Sequence, residues 1–302
     1  MKRFRWMMLG AALMGGCVLS AQAAITVQDD AGDTVTLEQP ARRVVSLSPH
    51  VTEMLFAAGG GDRIVGTVTY SEYPPAAKNI PRIGDNRSVD LERLIALKPD
   101  LLVVWRHNAS SRQMEQLRKL GIPLFYSEPH KLADIPEAVL RMGQLMGTEA
   151  QARQAAGDLQ RQLDGLTSRY RNRPPVRVFY QVWDRPLYTL NERHIISDAI
   201  RVCGGENIFA KLPMAAPSIT QEAVLKENPD AIVSGDRRDQ KVSGIEIWKQ
   251  YPSMTAVKRG NLFAIDGDLI NRAGPRILAG AAELCARLDE ARGRRDGKEI
   301  RQ

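Results

Sequence analysis

Leu91-Glu92-Arg93-Leu94-Ile95-Ala96-Leu97-Lys98-Pro99-Asp100-Leu101-Leu102-Val103 returns 130 positions later as Gln221-Glu222-Ala223-Val224-Leu225-Lys226-Glu227-Asn228-Pro229-Asp230-Ala231-Ile232-Val233. Glu, Pro, Asp and Val coincide in register, and apolar positions agree at several more. Each copy reads as a short helix, a break at Pro-Asp, then a buried strand, because proline cannot continue the helix. Such a joint is common in α/β chains. Its return at one fixed offset predicts two similar lobes.

Outward from these copies, strands and helices alternate. After a short hairpin (25–28, a turn at 29–33, then 34–37), the first half places strands at 43–46, 64–68, 101–104 and 123–126. Helices lie between them, one opening at Pro49 and Thr52 and ending at Gly59-Gly60-Gly61, others at 91–97 and 111–120. The second half places strands at 176–181, 231–233 and 262–265, with helices at 195–202, 223–227 and 276–289. This order predicts the α/β class with mainly parallel sheets. Between the halves, apolar residues recur 3 or 4 apart through 132–146 and again through 148–171, with no proline between Glu137 and Arg173. The spacing predicts one long, stiff connecting helix. The expected division is a leader at 1–23, lobes at 24–131 and 174–290, a connector at 132–173 and a basic tail at 291–302.

The 302 residues are 43% hydrophobic and 25% charged, ordinary values for a chain with a packed core and not for a disordered one. The net charge of +7 resembles a nucleic-acid signal until it is located. Lys2, Arg3 and Arg5 carry part of it, and Arg292, Arg294, Arg295, Lys298 and Arg301 outweigh Asp296 and Glu299 in the tail. The body between is close to neutral and offers no field for phosphates, which argues against nucleic acid.

Those N-terminal cations precede a mostly apolar stretch from Met7 to Leu19 and the cleavage pattern Ala21-Gln22-Ala23. This is the layout of a secretory signal peptide, with cleavage after Ala23 and export to the periplasm; lipid attachment at Cys17 is the alternative. The two remaining cysteines, Cys203 and Cys285, are either a disulfide closing a loop of about 80 residues or two separate buried thiols.

Enzyme motifs are missing: there is no G-x-S-x-G, G-x-G-x-x-G or phosphate-binding loop with its lysine. Gly59-Gly60-Gly61 follows a helix and reads as its cap. His50, His107, His130 and His194 are scattered, with no pair at helical i, i+4 spacing, so no metal site and no catalytic residue is indicated. Ligands of α/β sheets lie beyond the carboxyl ends of strands. That rule nominates the segments 46–50, 69–73, 105–108, 183–188 and 266–272, where Tyr70, Trp105, Trp183 and Tyr188 offer flat apolar faces with a polar edge.

At these residues the chain resembles a known family. Its motifs are Ser46-Leu47-Ser48-Pro49 with Thr52-Glu53, Tyr70-Ser71-Glu72-Tyr73-Pro74-Pro75, Leu91-Glu92-Arg93 with Leu97-Lys98-Pro99-Asp100-Leu101, and Trp105-Arg106. Val202-Cys203-Gly204-Gly205-Glu206-Asn207-Ile208-Phe209 and Arg272-Ala273-Gly274-Pro275-Arg276-Ile277 complete the set. They are similar to the helical-backbone family of metal-chelate binding proteins, and within it to the periplasmic cobalamin-binding members of ABC importers, over roughly residues 41–290.

The resemblance implies a class III periplasmic binding protein: two lobes joined by one long helix, closing modestly on a corrinoid held edge-on. It is a transport protein and not an enzyme, a monomer that needs no cofactor and meets a permease and ATPase complex. Tyr70 and Trp105 match cleft positions, and Asp268, Leu269, Ile270, Asn271 and Arg272 match the second-lobe loop that contacts ligand. Glu92 and Glu222 match the acidic residues, one per lobe, that dock on permease arginines, and Cys203 with Cys285 matches the family's disulfide. The chain departs from the pattern at Asn86, where cobalamin binders often carry tryptophan, and at Leu269, Ile270 and Asn271, where they present aromatics and a carboxylate. Trp183 and Tyr188 are the candidate replacements. His50 is either a ligand to a corrinoid cobalt or haem iron or a polar residue at a helix start. The ligand set is cobalamin or a truncated corrinoid, with haem or a ferric siderophore as the alternative.

Overall fold

The computed structural model describes residues 24–85, 88–105, 111–236, 244–295 and 297. The expected leader with Cys17 and Ala23, Asn86, the Arg106-His107-Asn108 stretch and residues 298–302 lie outside the described residues.

The chain opens on an antiparallel hairpin, β1 (Ile25–Gln28) and β2 (Thr34–Leu37). The first lobe follows with β3 (Val44–Ser46), α1 (Pro49–Ala57), β4 (Ile64–Gly66), α2 (Leu91–Ala96), β5 (Leu101–Val104), α3 (Ser111–Lys119) and β6 (Leu124–Tyr126). Two helices, α4 (Asp134–Met146) and α5 (Glu149–Tyr170), lead to the second lobe. That lobe holds β7 (Val176–Gln181), the short hairpin β8 (Trp183–Asp184) and β9 (Leu187–Tyr188), α6 (Ile195–Val202) and β10 (Gly205–Asn207). It ends with α7 (Gln221–Glu227), β11 (Ala231–Asp236), α8 (Thr255–Lys258), β12 (Leu262–Asp266), α9 (Gly267–Ile270) and α10 (Ile277–Arg295).

The two main sheets are parallel throughout, in the orders β4-β3-β5-β6 and β10-β7-β11-β12. Counted within its own lobe, each runs second, first, third, fourth. The chain therefore reverses direction across each sheet between its first and third strands, and the loops leaving those strands diverge to open a crevice.

The repeated sequence explains the likeness residue by residue. Asp90 caps α2 by accepting from the Arg93 backbone N–H, and Thr220 caps α7 by accepting from that of Ala223. At the other ends, Lys98 and Asn228 take the left-handed conformation, with φ of 46° and 44°. The aspartates after the prolines then bind back to the first strand of each lobe. Asp100 accepts from the backbone N–H of Arg42 (2.8 Å) and Arg43 (2.9 Å), and Asp230 from that of Arg177 (3.1 Å). Arg43 donates to the Leu97 and Lys98 carbonyls and Arg177 to those of Glu227 and Asn228, so each arginine covers the open C-terminus of its helix.

The connector differs from the single helix expected over residues 132–173. Gly147 adopts a left-handed φ of 61° and ends α4, and α5 folds back on it. The helices cross tightly at Gly143, where an added Cβ would lie 2.3 Å from that of Ala152. The 22-residue α5, roughly 33 Å long, is the one long helix joining the lobes.

One apolar core runs through both lobes. Val44, Val103 and Leu145 from the first side are continuous with Leu163 of α5 and with Val178, Val233 and Leu284 of the second. The Cys203–Cys285 disulfide is present, fully buried, and ties the end of α6 to α10. Among the described residues no helix is long and apolar enough to cross a membrane.

Asp100→Ala and Asp230→Ala should each lower unfolding free energy by about 1–3 kcal/mol, because each removes the charged acceptor that ties the helix–strand joint to the first strand of its lobe. Urea titration of the two single variants checks this. A loss at only one site would break the structural equivalence of the repeat.

Candidate functional site

The carboxyl ends of the first sheet and one edge of the second face each other across a cavity of about 940 Å³. Its first-lobe wall is Ser48, Pro49 and His50 after β3, Thr69 and Tyr70 after β4, Trp105 after β5, and Glu128, Pro129 and His130 after β6. Its second-lobe wall is Arg193, His194 and Ile195, the turn from Pro213 to Ala216, and Asn271, Arg272 and Ala273. The volume is near the upper end of the range for small-molecule sites, about 300–1,000 Å³.

The loop after β3 is built on hydroxyl groups. Thr52 Oγ1 lies 2.8 Å from Ser46 Oγ and 2.9 Å from Thr67 Oγ1, and Ser46 Oγ donates to the Ser48 carbonyl. All are buried. With Pro49 in the first turn of α1, this network fixes where His50 sits. His50 Nδ1 shares a 2.7 Å hydrogen bond with Ser48 Oγ, and its ring meets Trp105 edge to face at 5.2 Å. Nε2 is buried and has no hydrogen-bond partner of good geometry. His50 thus borders the cavity and packs against the Trp105 ring.

Tyr70 is 57% exposed and holds a left-handed φ of 66°, a conformation that costs a non-glycine residue roughly 1–2 kcal/mol. Its exposed ring forms part of the cavity wall. An unfavourable backbone placing an aromatic ring in a cleft is the pattern of a ligand contact.

Beside the cavity the lobes are joined by charge. Glu53 of α1 is 3% exposed and receives two hydrogen bonds from Arg276, Nε to Oε2 at 2.9 Å and Nη2 to Oε1 at 2.6 Å. Arg272 Nη1 adds a longer contact at 3.4 Å and binds Asp268 at 2.9 Å through Nη2. Arg276 also stacks 4.1 Å from the centre of the Tyr73 ring. The hydrogen bonds to Glu53 raise the Arg276 pKa further above its ordinary value. An added Cβ on Gly274 would lie 3.3 Å from the His50 carbonyl oxygen, so this position allows the backbones of the two lobes to come close.

The segment 268–272 is not the open loop expected from sequence. Asp266 caps the short α9 by accepting from the Asp268 N–H, and the helical turn carries Ile270 fully into the core. Ile270 therefore cannot touch a ligand in the cavity. Asp268 and Leu269 are half-buried and do not line it, Asp268 acting instead through Arg272. Asn271 and Arg272 do line it. Asn271 is held by the Tyr180 hydroxyl, which donates to Oδ1 at 2.8 Å, and by its own donation to the Gly235 carbonyl. Burial pushes the Tyr180 pKa far up, with Asp236 adding to the effect, so the phenol stays a donor.

Trp183, 58% exposed, lines a second cavity of about 510 Å³ at the carboxyl ends of β7 and β11, and Tyr188 pairs with it across the β8–β9 hairpin. His194 and Asn271 border both cavities. Sequence reasoning missed Glu128, Pro129 and His130, although the strand-end rule applied to β6 would have found them. It also missed Arg193 and the 213–216 turn, which carry no local signal. Glu92 and Glu222 are exposed in the first turns of α2 and α7. Hydrogen bonds from its own backbone and from Thr220 lower the Glu222 pKa. Among the described residues no cluster of His, Cys, Asp and Glu could hold a metal ion.

Burial lowers the His50 pKa to about 4; the Ser127 backbone opposes this and the Arg272 charge adds to it. The unfolded chain therefore binds a proton that the native state refuses between pH of about 6.5 and about 4. This contribution to stability is complete above 6.5 and falls by ~1.4 kcal/mol per pH unit on the way down. Urea unfolding at pH 4–7 should show a shallower acid slope for His50→Gln than for the wild type. Equal slopes would assign the titration elsewhere.

Comparison with known proteins gives consistent matches. The family model described as periplasmic binding protein matches residues 44–269. The Vitamin B12-binding protein of Yersinia pestis (strain Pestoides F) is 36% identical over 250 residues, covering 83% of this chain and 87% of the relative. The crystal structure of the periplasmic Vitamin B12 binding protein BtuF of Vibrio cholerae superposes with a TM-score of 0.78 at 31% identity, covering 84% of this chain and 98% of that one. The periplasmic heme-binding protein RhuT from Roseiflexus sp. RS-1, at 22% identity, TM-score 0.70 and coverage of 83% and 99%, shares the fold.

Proposed function

The chain belongs to the periplasmic binding protein family, and on that premise we propose that it captures cobalamin or a related corrinoid in the periplasm and delivers it to an ABC importer. The observation that carries the reading is the cavity of about 940 Å³ between the lobes, walled by Tyr70, Trp105 and Met214. It is large and faced with flat or adaptable apolar groups, the surface a corrin ring requires. Relatives of more than 30% identity over most of the chain, named as Vitamin B12-binding proteins, support the same ligand.

Capture needs no covalent step. The ring enters between the first-lobe aromatics and the 213–216 turn, while the buried Glu53–Arg276 pair holds the walls at a fixed spacing. Asn271 and Arg272, already oriented by Tyr180 and Asp268, supply the polar contacts. Trp183 and Tyr188 extend the surface toward the second cavity.

Delivery follows from the repeat. Glu92 and Glu222 occupy the same position in the two lobes, at helix starts on the surface. A matched pair of carboxylates suits two equivalent basic sites on a permease with two-fold symmetry. The chain acts as a monomer with lobes 24–131 and 174–290 around the connector 132–173. Residues 1–23 are removed after Ala23 on export; the alternative is cleavage before Cys17 and a lipid anchor on that residue.

Calorimetry of the mature protein should give saturable one-to-one binding of cyanocobalamin, stronger than that of haem. Tyr70→Ala combined with Trp105→Ala should weaken it by about tenfold or more. Stronger binding of haem or a ferric chelate would keep the transport role and discard the corrinoid. Glu92→Arg with Glu222→Arg should abolish association with the importer and leave ligand affinity unchanged; transport that persists in this double variant refutes the docking role.

A further inference from the structure

We infer that Arg193 is the anion-recognising residue of the cleft, and that it takes the phosphodiester of the corrinoid's nucleotide loop, so that the site favours complete cobalamin over corrinoids lacking that loop. The inference rests on the corrinoid reading of the cavity.

Two guanidinium groups line the cavity, Arg193 and Arg272. Arg272 is neutralised by Glu53 and Asp268. Arg193 forms no ion pair among the described residues, although its side chain is held in place. Its Nη2 donates to the Pro213 carbonyl, across the turn that forms the cavity wall. Its backbone N–H donates to Asn191 Oδ1 at 2.9 Å. Asn191 is itself buried and anchored, with Nδ2 donating to the Leu212 carbonyl at 2.8 Å and its N–H to that of Ala215 at 2.9 Å. A guanidinium presents five N–H donors, and this contact uses one. Among the described residues the rest have no protein acceptor, and the residue lines the cavity with Met214, Ile195 and Glu128.

The chemistry of the ligand meets this arrangement at one point. The side-chain amides of a corrin ring are neutral, and the phosphodiester is the one negative group on the periphery of complete cobalamin. A charge-assisted hydrogen bond from a held guanidinium is strong and geometrically selective. Cobinamide keeps the ring and lacks the phosphodiester, so it isolates the contact.

The test is calorimetry of cyanocobalamin and dicyanocobinamide against the wild type, Arg193→Gln and Arg193→Lys, with thermal unfolding to confirm that each variant folds. Arg193→Gln should weaken cyanocobalamin by about 10- to 100-fold and change cobinamide by less than about twofold. Arg193→Lys, which keeps the charge and loses the fork, should fall between. An equal loss for both ligands would show that Arg193 acts only through the 213–216 turn, and no loss for either would show that it touches no anion; both results overturn the inference while the corrinoid reading stands. A wild-type protein that binds neither corrinoid overturns both together.

Discussion

Glu53 is a carboxylate almost wholly removed from water at the seam between two lobes, and the cleft depends on how its charge is met. An isolated charge there would be strongly unfavourable, and removing one partner of such a pair typically costs about 3–5 kcal/mol. Arg276 answers with a forked contact and Arg272 with a second, while Tyr73 and Asp268 hold the outer sides of the two guanidinium groups. Glu53 lies on the first helix of one lobe and both arginines beside the last helix of the other. The pair therefore fixes the distance between the walls, and the apolar core continuous through both lobes reinforces it.

The framework was readable because it repeats. Four shared residues at one offset mark the helix–break–strand joint in each lobe, and the Asp, Pro and Val pairs have a structural task there, the valines filling the core. Asp100 and Asp230 bind the first strand, and the prolines end the helices. The positions before those prolines, Lys98 and Asn228, look unrelated and yet share the left-handed backbone. The connector departs from a single helix for a local reason: no proline interrupts it, but Gly147 ends a helix equally well by adopting positive φ. The same scale of detail governs α9, where one helical turn buries Ile270 that a loop would have exposed.

The site was partly legible. Loops at the carboxyl ends of strands follow from sheet topology, so Tyr70, Trp105 and His50 were found. The contacts of His50 show only in three dimensions, where the Ser48 hydroxyl holds it against Trp105 at the cavity wall. Arg193 and the Pro213–Ala216 turn enter the cleft through tertiary packing, from segments with no strand before them. Residues joined only by long-range contacts, such as Glu53 and Arg276 at a separation of 223, leave no local trace of their pairing.

The most direct measurement is a crystal structure of the mature protein with cyanocobalamin. The account predicts a corrin ring lying between Tyr70 and Trp105 on one side and Met214 on the other, with the Glu53–Arg276 contact intact. A ring bound outside this cavity, or lobes that separate or rotate so as to break the Glu53–Arg276 pair, would contradict it.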